Sequence, residues 1–88
     1  MKQRYLEVTF RKGRPLAAYL YLPRPTGTHA ARTVDAGHGV QVDFDERGAA
    51  IGVEITSPSA VSVAELNSIL VRHGISELDA EEAAPLAA

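Results

Sequence analysis

The sequence predicts an α+β domain: an antiparallel meander sheet of about five strands, with one C-terminal helix packed on one face. Three observations carry this reading. Apolar and polar residues alternate with period two on both sides of a glycine turn near the start of the chain. The same pattern returns in residues 39–55, GVQVDFDERGAAIGVEI. After Ser57-Pro58-Ser59 the apolar period lengthens to that of a helix.

The first hairpin begins with residues 4–11. Leu6, Val8 and Phe10 share one face, and Tyr5, Glu7, Thr9 and Arg11 the other. Lys12-Gly13-Arg14 reads as a turn, and residues 15–22 alternate again, Leu16, Ala18, Leu20 and Leu22 against Ala17, Tyr19 and Tyr21. Pairing Phe10 with Leu16, Val8 with Ala18 and Leu6 with Leu20 gathers the aliphatic residues on one side. Thr9–Ala17, Glu7–Tyr19 and Tyr5–Tyr21 then pair on the other. Gly13 sits centrally rather than last in the turn, which leaves room for a bulge in this register.

Residues 23–28 hold Pro23, Pro25 and Gly27 and read as a loop, because proline removes ladder donors. A short strand is expected near residues 31–35, ended by Gly37-His38-Gly39. The second hairpin closes through Asp45-Glu46-Arg47-Gly48, a turn with glycine where positive φ is wanted. Its expected pairs are Phe44–Ala49, Val42–Ile51 and Val40–Val53, with Gln41, Asp43 and Glu54 outward.

The helix has a start, a stripe and a stop. Ser62 and Glu65 form a capping box, flanked by Val61 and Leu66 as a hydrophobic staple. Val63, Leu66, Ile69 and Leu70 form the apolar stripe, and Gly74 ends the helix. Residues 1–75 make one domain. The Ala- and acid-rich tail, residues 76–88, reads as frayed or disordered.

Composition narrows the chemistry. The 88-residue chain has no cysteine, which removes disulfides, thiolate nucleophiles and cysteine-based zinc sites. No apolar run approaches the roughly 20 residues of a membrane span, and residues 1–10 lack a signal-like core. A cytoplasmic protein without membrane attachment is the expectation. Charge is unevenly placed: Lys2, Arg4, Arg11, Lys12, Arg14, Arg24 and Arg32 precede Val34, and every acid except Glu7 follows it. Such asymmetry points first to charge pairing within the fold or between copies, and second to an anionic partner.

Segments AAYLYL (residues 17–22) and VDFDERGAAIGVEI (residues 42–55) resemble the bacterial "domain of unknown function 2283" family of small proteins. Ala17, Tyr19, Leu20 and Leu22 match its first pattern. Asp43, Phe44, Asp45, Gly48, Ile51, Gly52, Val53, Glu54 and Ile55 match its second. The chain departs from the pattern at Lys12-Gly13-Arg14-Pro15, where an acidic lead-in is usual. The resemblance implies an antiparallel sheet, no established activity and pairing with a protein encoded nearby.

Motifs with chemical content are few. Asp43-x-Asp45-x-Arg47-Gly48 copies part of a calcium loop, but Arg47 puts a cation where an oxygen ligand belongs. Asp45 capping its own turn is the simpler reading, and no metal site or cofactor is expected. His29, His38 and His73 lack metal-ligand spacing; His73 suits the negative end of the helix dipole. His38 with Asp43 or Glu54 supplies a candidate acid–base set. The outward face of the first hairpin is the best surface for binding, with Tyr5, Tyr19 and Tyr21 rimmed by Arg11, Arg14 and Arg4. Tyrosine and arginine are enriched in protein interfaces and also stack on single-stranded bases. Tyrosine is also common in strands for packing alone.

The sequence therefore points to a small non-catalytic binding or assembly module, a homodimer acting through the tyrosine face or an open sheet edge. Two alternatives stand beside it. One is a nucleic-acid-binding or antitoxin-like regulator using the basic first third. The other is a small hydrolase using His38 with Asp43 or Glu54.

Overall fold

The computed structural model describes residues 3–87, with side chains through Leu86. Met1, Lys2 and Ala88 lie outside the described residues, and with them one of the basic residues and the end of the tail. Five strands come first: β1 (Tyr5–Arg11), β2 (Arg14–Tyr21), β3 (Arg32–Gly37), β4 (Val40–Phe44) and β5 (Ala50–Ile55). A 3-10 turn, Pro58–Ala60, leads to α1 (Val63–Arg72), and a short α2 (Ala80–Ala83) runs into a last 3-10 turn, Ala84–Ala87.

All strand pairs are antiparallel, and the sheet order is β1-β2-β5-β4-β3. The expected meander is thus corrected. The chain leaves β2, crosses to the far edge, and comes back through β4 to place β5 in the centre. The loop after β2, with Pro23 and Pro25, makes that crossing. Central placement suits β5, where Ile51, Gly52, Val53 and Ile55 are all buried.

The hairpin turns explain the registers. Lys12 (φ 52°) and Gly13 (φ 77°) form a two-residue turn between the paired Arg11 and Arg14, so Arg14 belongs to the strand. Two successive left-handed residues are the signature of a type I′ turn, whose twist matches the strands it joins. Thr9 pairs with Ala17 but Phe10 with Pro15, which leaves Leu16 as an extra residue in β2. Leu16, expected beneath the helix, is instead 51% exposed, and Phe10 is 47% exposed. β2 meets β5 only from Ala18 to Tyr21, so the far half of this hairpin projects beyond the core. His38 (φ 55°) and Gly39 (φ 73°) make a second turn of the same kind between β3 and β4.

In the second hairpin Val40 pairs with Ile55 and Val42 with Val53, a slip of two residues from the expected register. A shift of two keeps each side chain on its own face, so the pattern alone does not distinguish the two registers. The irregularity falls between Asp43 and Phe44, which face Gly52 and Ala50 and leave Ile51 extra. Asp45 closes the turn as expected: its Oδ1 accepts from the backbone N–H of Arg47 and of Ala49, each at 2.9 Å.

One face of the sheet holds the core. Ala18, Leu20, Leu22, Val40, Val42, Val53 and Ile55 pack against Leu66, Ile69 and Leu70 of α1. The capping box is formed, with Glu65 N–H donating to Ser62 Oγ at 3.0 Å and Ser62 N–H to Glu65 Oε1 at 2.9 Å. Ile75 N–H bonds to Leu70 O and Gly74 N–H to Val71 O, with Gly74 at φ 75°: a Schellman ending that tucks Ile75 into the core.

A single helix does not complete the fold. Residues 76–87, read from composition as frayed, carry a second capping box, Asp79 with Glu82, at the start of α2. Leu78 and Ala83 are buried in the same core. The tail is fastened at both levels: Asn67 of α1 brackets Leu78, its Oδ1 accepting from Leu78 N–H at 2.9 Å, and Arg4 clasps the segment from below β1. The Arg4 guanidinium donates to both Glu82 oxygens (2.8 and 2.9 Å), to Ser76 O and to Glu77 O.

Candidate functional site

The sheet face opposite α1 carries the chemistry. Alternation along β1, β2, β5, β4 and β3 presents there Tyr5, Glu7, Tyr19, Tyr21, Gly52 and Glu54, then Gln41, Asp43, Thr33 and Asp35. Tyr5 and Tyr21, opposite one another, stack at 4.7 Å between ring centroids with planes 16° apart. Tyr19 meets the Tyr21 ring edge-on at 4.7 Å. The Arg24 guanidinium lies 5.8 Å from the Tyr21 ring centroid.

Gly52 makes this arrangement possible. Tyr19 lies flat across it, and a Cβ at that position would run into the phenol ring. So placed, the Tyr19 hydroxyl donates to Asp43 Oδ2 at 2.6 Å, and Thr33 donates to the other oxygen, Oδ1, at 2.6 Å. Burial, then the hydrogen bond to Asp43, holds the Tyr19 hydroxyl well above the ordinary tyrosine value. The Tyr21 hydroxyl donates to Glu7 at 3.2 Å and is raised by the same causes, burial first and the Glu7 charge next.

The three tyrosines singled out from the sequence thus form one contiguous cluster, and its surroundings differ from expectation. Carboxylates surround it: Glu7, Asp43, Glu54 and Asp35 share the face. Arg11 and Arg14 stand together at the tip of the first hairpin. Arg4 leaves the rim altogether and binds the tail on the opposite face. Thr33, Gly52 and Arg24 belong to the cluster and were not legible as site residues: the strand order brings Thr33 and Gly52 to it, and Arg24 reaches back to Tyr21 from the loop after β2. A glycine inside an alternating strand was the one available signal of close approach.

The acid–base candidates are distributed differently. His38 precedes β4, and its Nδ1 lies 3.5 Å from Glu65 Oε2 at the start of α1. Asp43 sits near the other end of β4, engaged by Tyr19 and Thr33. Glu54 is exposed between Tyr19 and Gln41. His73 caps α1, its Nδ1 2.9 Å from Ile69 O, and His29 lines a shallow hollow of about 580 Å³ with Arg24 and Ile51. Among the described residues no group of three or more His, Asp or Glu side chains could hold a metal ion. No helix among them is long and apolar enough to cross a membrane.

Comparison with protein families, with curated proteins and with solved structures found no match to this chain.

Proposed function

We propose that this chain is a small non-catalytic assembly module that associates with a second copy of itself through its sheet. One observation carries the reading. The projecting half of the first hairpin holds Phe10 and Leu16 about half exposed, 47% and 51%, where it overhangs the core. Large apolar side chains on a strand edge are a surface that folded domains cover or guard. Tyr5, 51% exposed at the other end of β1, is a second exposed apolar group on this edge strand. Lys12, Arg11 and Arg14 at the tip and the carboxylates of the outer face put opposite charges on separate patches of one molecule, which favours contacts between copies.

A phosphate backbone is a poorer fit to the tyrosine face, where Glu7, Asp43 and Glu54 would repel it. The basic tip favours the regulator reading only at the hairpin end. Sedimentation of the full chain at rising concentration tests the proposal. A dimer in the micromolar range that weakens in Phe10→Asp supports it, and a wild-type monomer at high micromolar concentration overturns it. Oligonucleotide binding that falls steeply with salt would instead favour the regulator.

A further inference from the structure

We propose that the second copy is seated strand to strand, β1 against β1, antiparallel about a two-fold axis at Val8; this rests on the self-association proposed above. The two edges of the sheet are not equivalent. β3 is interrupted near its end, where the register shifts between Asp35 and Gly37 and Asp35 Oδ1 caps the Gly37 N–H at 2.9 Å. Such a bulge turns an edge away from pairing. β1 has no counterpart to it. The extra residue of the first hairpin, Leu16, lies in β2, so β1 runs unbroken from Tyr5 to Arg11. Among the described residues its backbone makes no hydrogen bond beyond those to β2. It contains no proline.

The strand is also complementary to itself. With the axis at Val8, every residue of YLEVTFR finds a partner. On the core side Val8 meets the partner's Val8, and Leu6 meets the partner's Phe10. This covers the exposed phenyl ring and the half-buried Leu6 twice over. On the outer side Tyr5 faces the partner's Arg11, and Glu7 faces the partner's Thr9 with the partner's Arg11 on the diagonal. An arginine over Tyr5 extends the existing Tyr5–Tyr21 stack by a cation–π contact. The tyrosines and Arg11, which the sequence linked and the single chain separates, come together between two chains.

Other registers do less. An axis at Glu7 sets two carboxylates face to face, which opposes pairing. An axis at Thr9 leaves Tyr5 and Leu6 opposite the partner's turn, where nothing covers them.

The absence of cysteine makes a direct test simple. Val8→Cys, Thr9→Cys and Asp35→Cys are oxidised gently, each as the single thiol in the full chain. Residues directly opposite across an antiparallel pair lie within disulfide reach. The expected result is a covalent dimer for most of the Val8→Cys protein and little for the other two, with Phe10→Asp suppressing the link at least tenfold. Wild-type hydrogen exchange supplies a readout free of substitutions: β1 amides slow with rising concentration while β3 amides do not. A self-linked Thr9→Cys overturns the register and leaves self-association standing. A dimer by sedimentation with no β1 link or β1 protection places the contact elsewhere. A monomer under all conditions removes both proposals.

Discussion

A single methyl group at position 52 would rearrange the outer face. Gly52→Ala drives a Cβ into the Tyr19 ring, so the ring must lift and its bond to Asp43 must break. Overpacking of this kind costs about 1–3 kcal/mol, measurable by urea denaturation. Tyr19→Phe removes only the hydrogen bond and is expected to cost about 1 kcal/mol, since the group is half-exposed. The two variants share a signature in base. Tyr19 titrates above its ordinary 10.0 when folded, so it contributes stability below pH 10 that is lost as the pH rises further. A stability profile whose alkaline decline is as steep in Tyr19→Phe as in wild type would show that Tyr19 does not supply it. The tyrosines themselves were legible from alternation. Their linkage to Asp43 and Thr33 was not, because those residues arrive from strands that the sequence does not order.

Helix starts were the most legible elements, because a cap is written in four consecutive residues. Ser62→Ala removes half of the α1 box and is expected to cost about 1 kcal/mol, a fall of several degrees in Tm for a domain this small. Asp79→Ala is the informative companion. The Asp79–Glu82 box has the same spacing as Ser62–Glu65, and composition alone concealed it among alanines and acids. If α2 anchors Leu78 and Ala83 in the core as described, this variant also lowers Tm; an unchanged melt would show that the tail contributes nothing to stability. Strand registers were less legible. Alternation is blind to a slip of two residues, and the extra residues Leu16 and Ile51 look like any other aliphatic until the turns are known. Lys12, left-handed against ordinary residue preference, decides the first of those turns, and His38 does the same between β3 and β4.

For the molecule as a whole, the uneven charge of the sequence resolves partly into one clasp. Arg4, from the basic end, holds Glu82, Ser76 and Glu77 of the acidic end. The bond to Arg4 keeps the Glu82 carboxyl below its ordinary 4.5, so the clasp stabilises fully above that value and is lost as pH falls below it. Proteolysis or hydrogen exchange of residues 76–87 is expected to accelerate below about pH 4, and Glu82→Gln is expected to bring the same loosening at neutral pH. Equal protection of the tail at pH 3 and pH 7 would show the clasp to be dispensable. The class of fold was readable from the two periods, but the strand order was not. Sequential strands are usually neighbours, and only the double burial of β5 signals a central strand.

That order also sets the kinetics of folding. Every pairing except one joins strands linked by a short turn, so β1–β2 and β3–β4–β5 are local units able to form early. The β2–β5 seam is different: it must bring Leu20 to Val53 across the long crossover, and its loop closure is an entropic toll charged before the core rewards it. The seam is therefore expected to form the barrier. Val53→Ala, costing on the order of 2 kcal/mol, should act mainly on the refolding rate in stopped-flow chevrons, with a φ-value above about 0.5. Ser62→Ala, remote from the seam, should mainly hasten unfolding. A φ-value near zero at Val53 would mean that the two halves of the sheet meet only after the barrier is crossed.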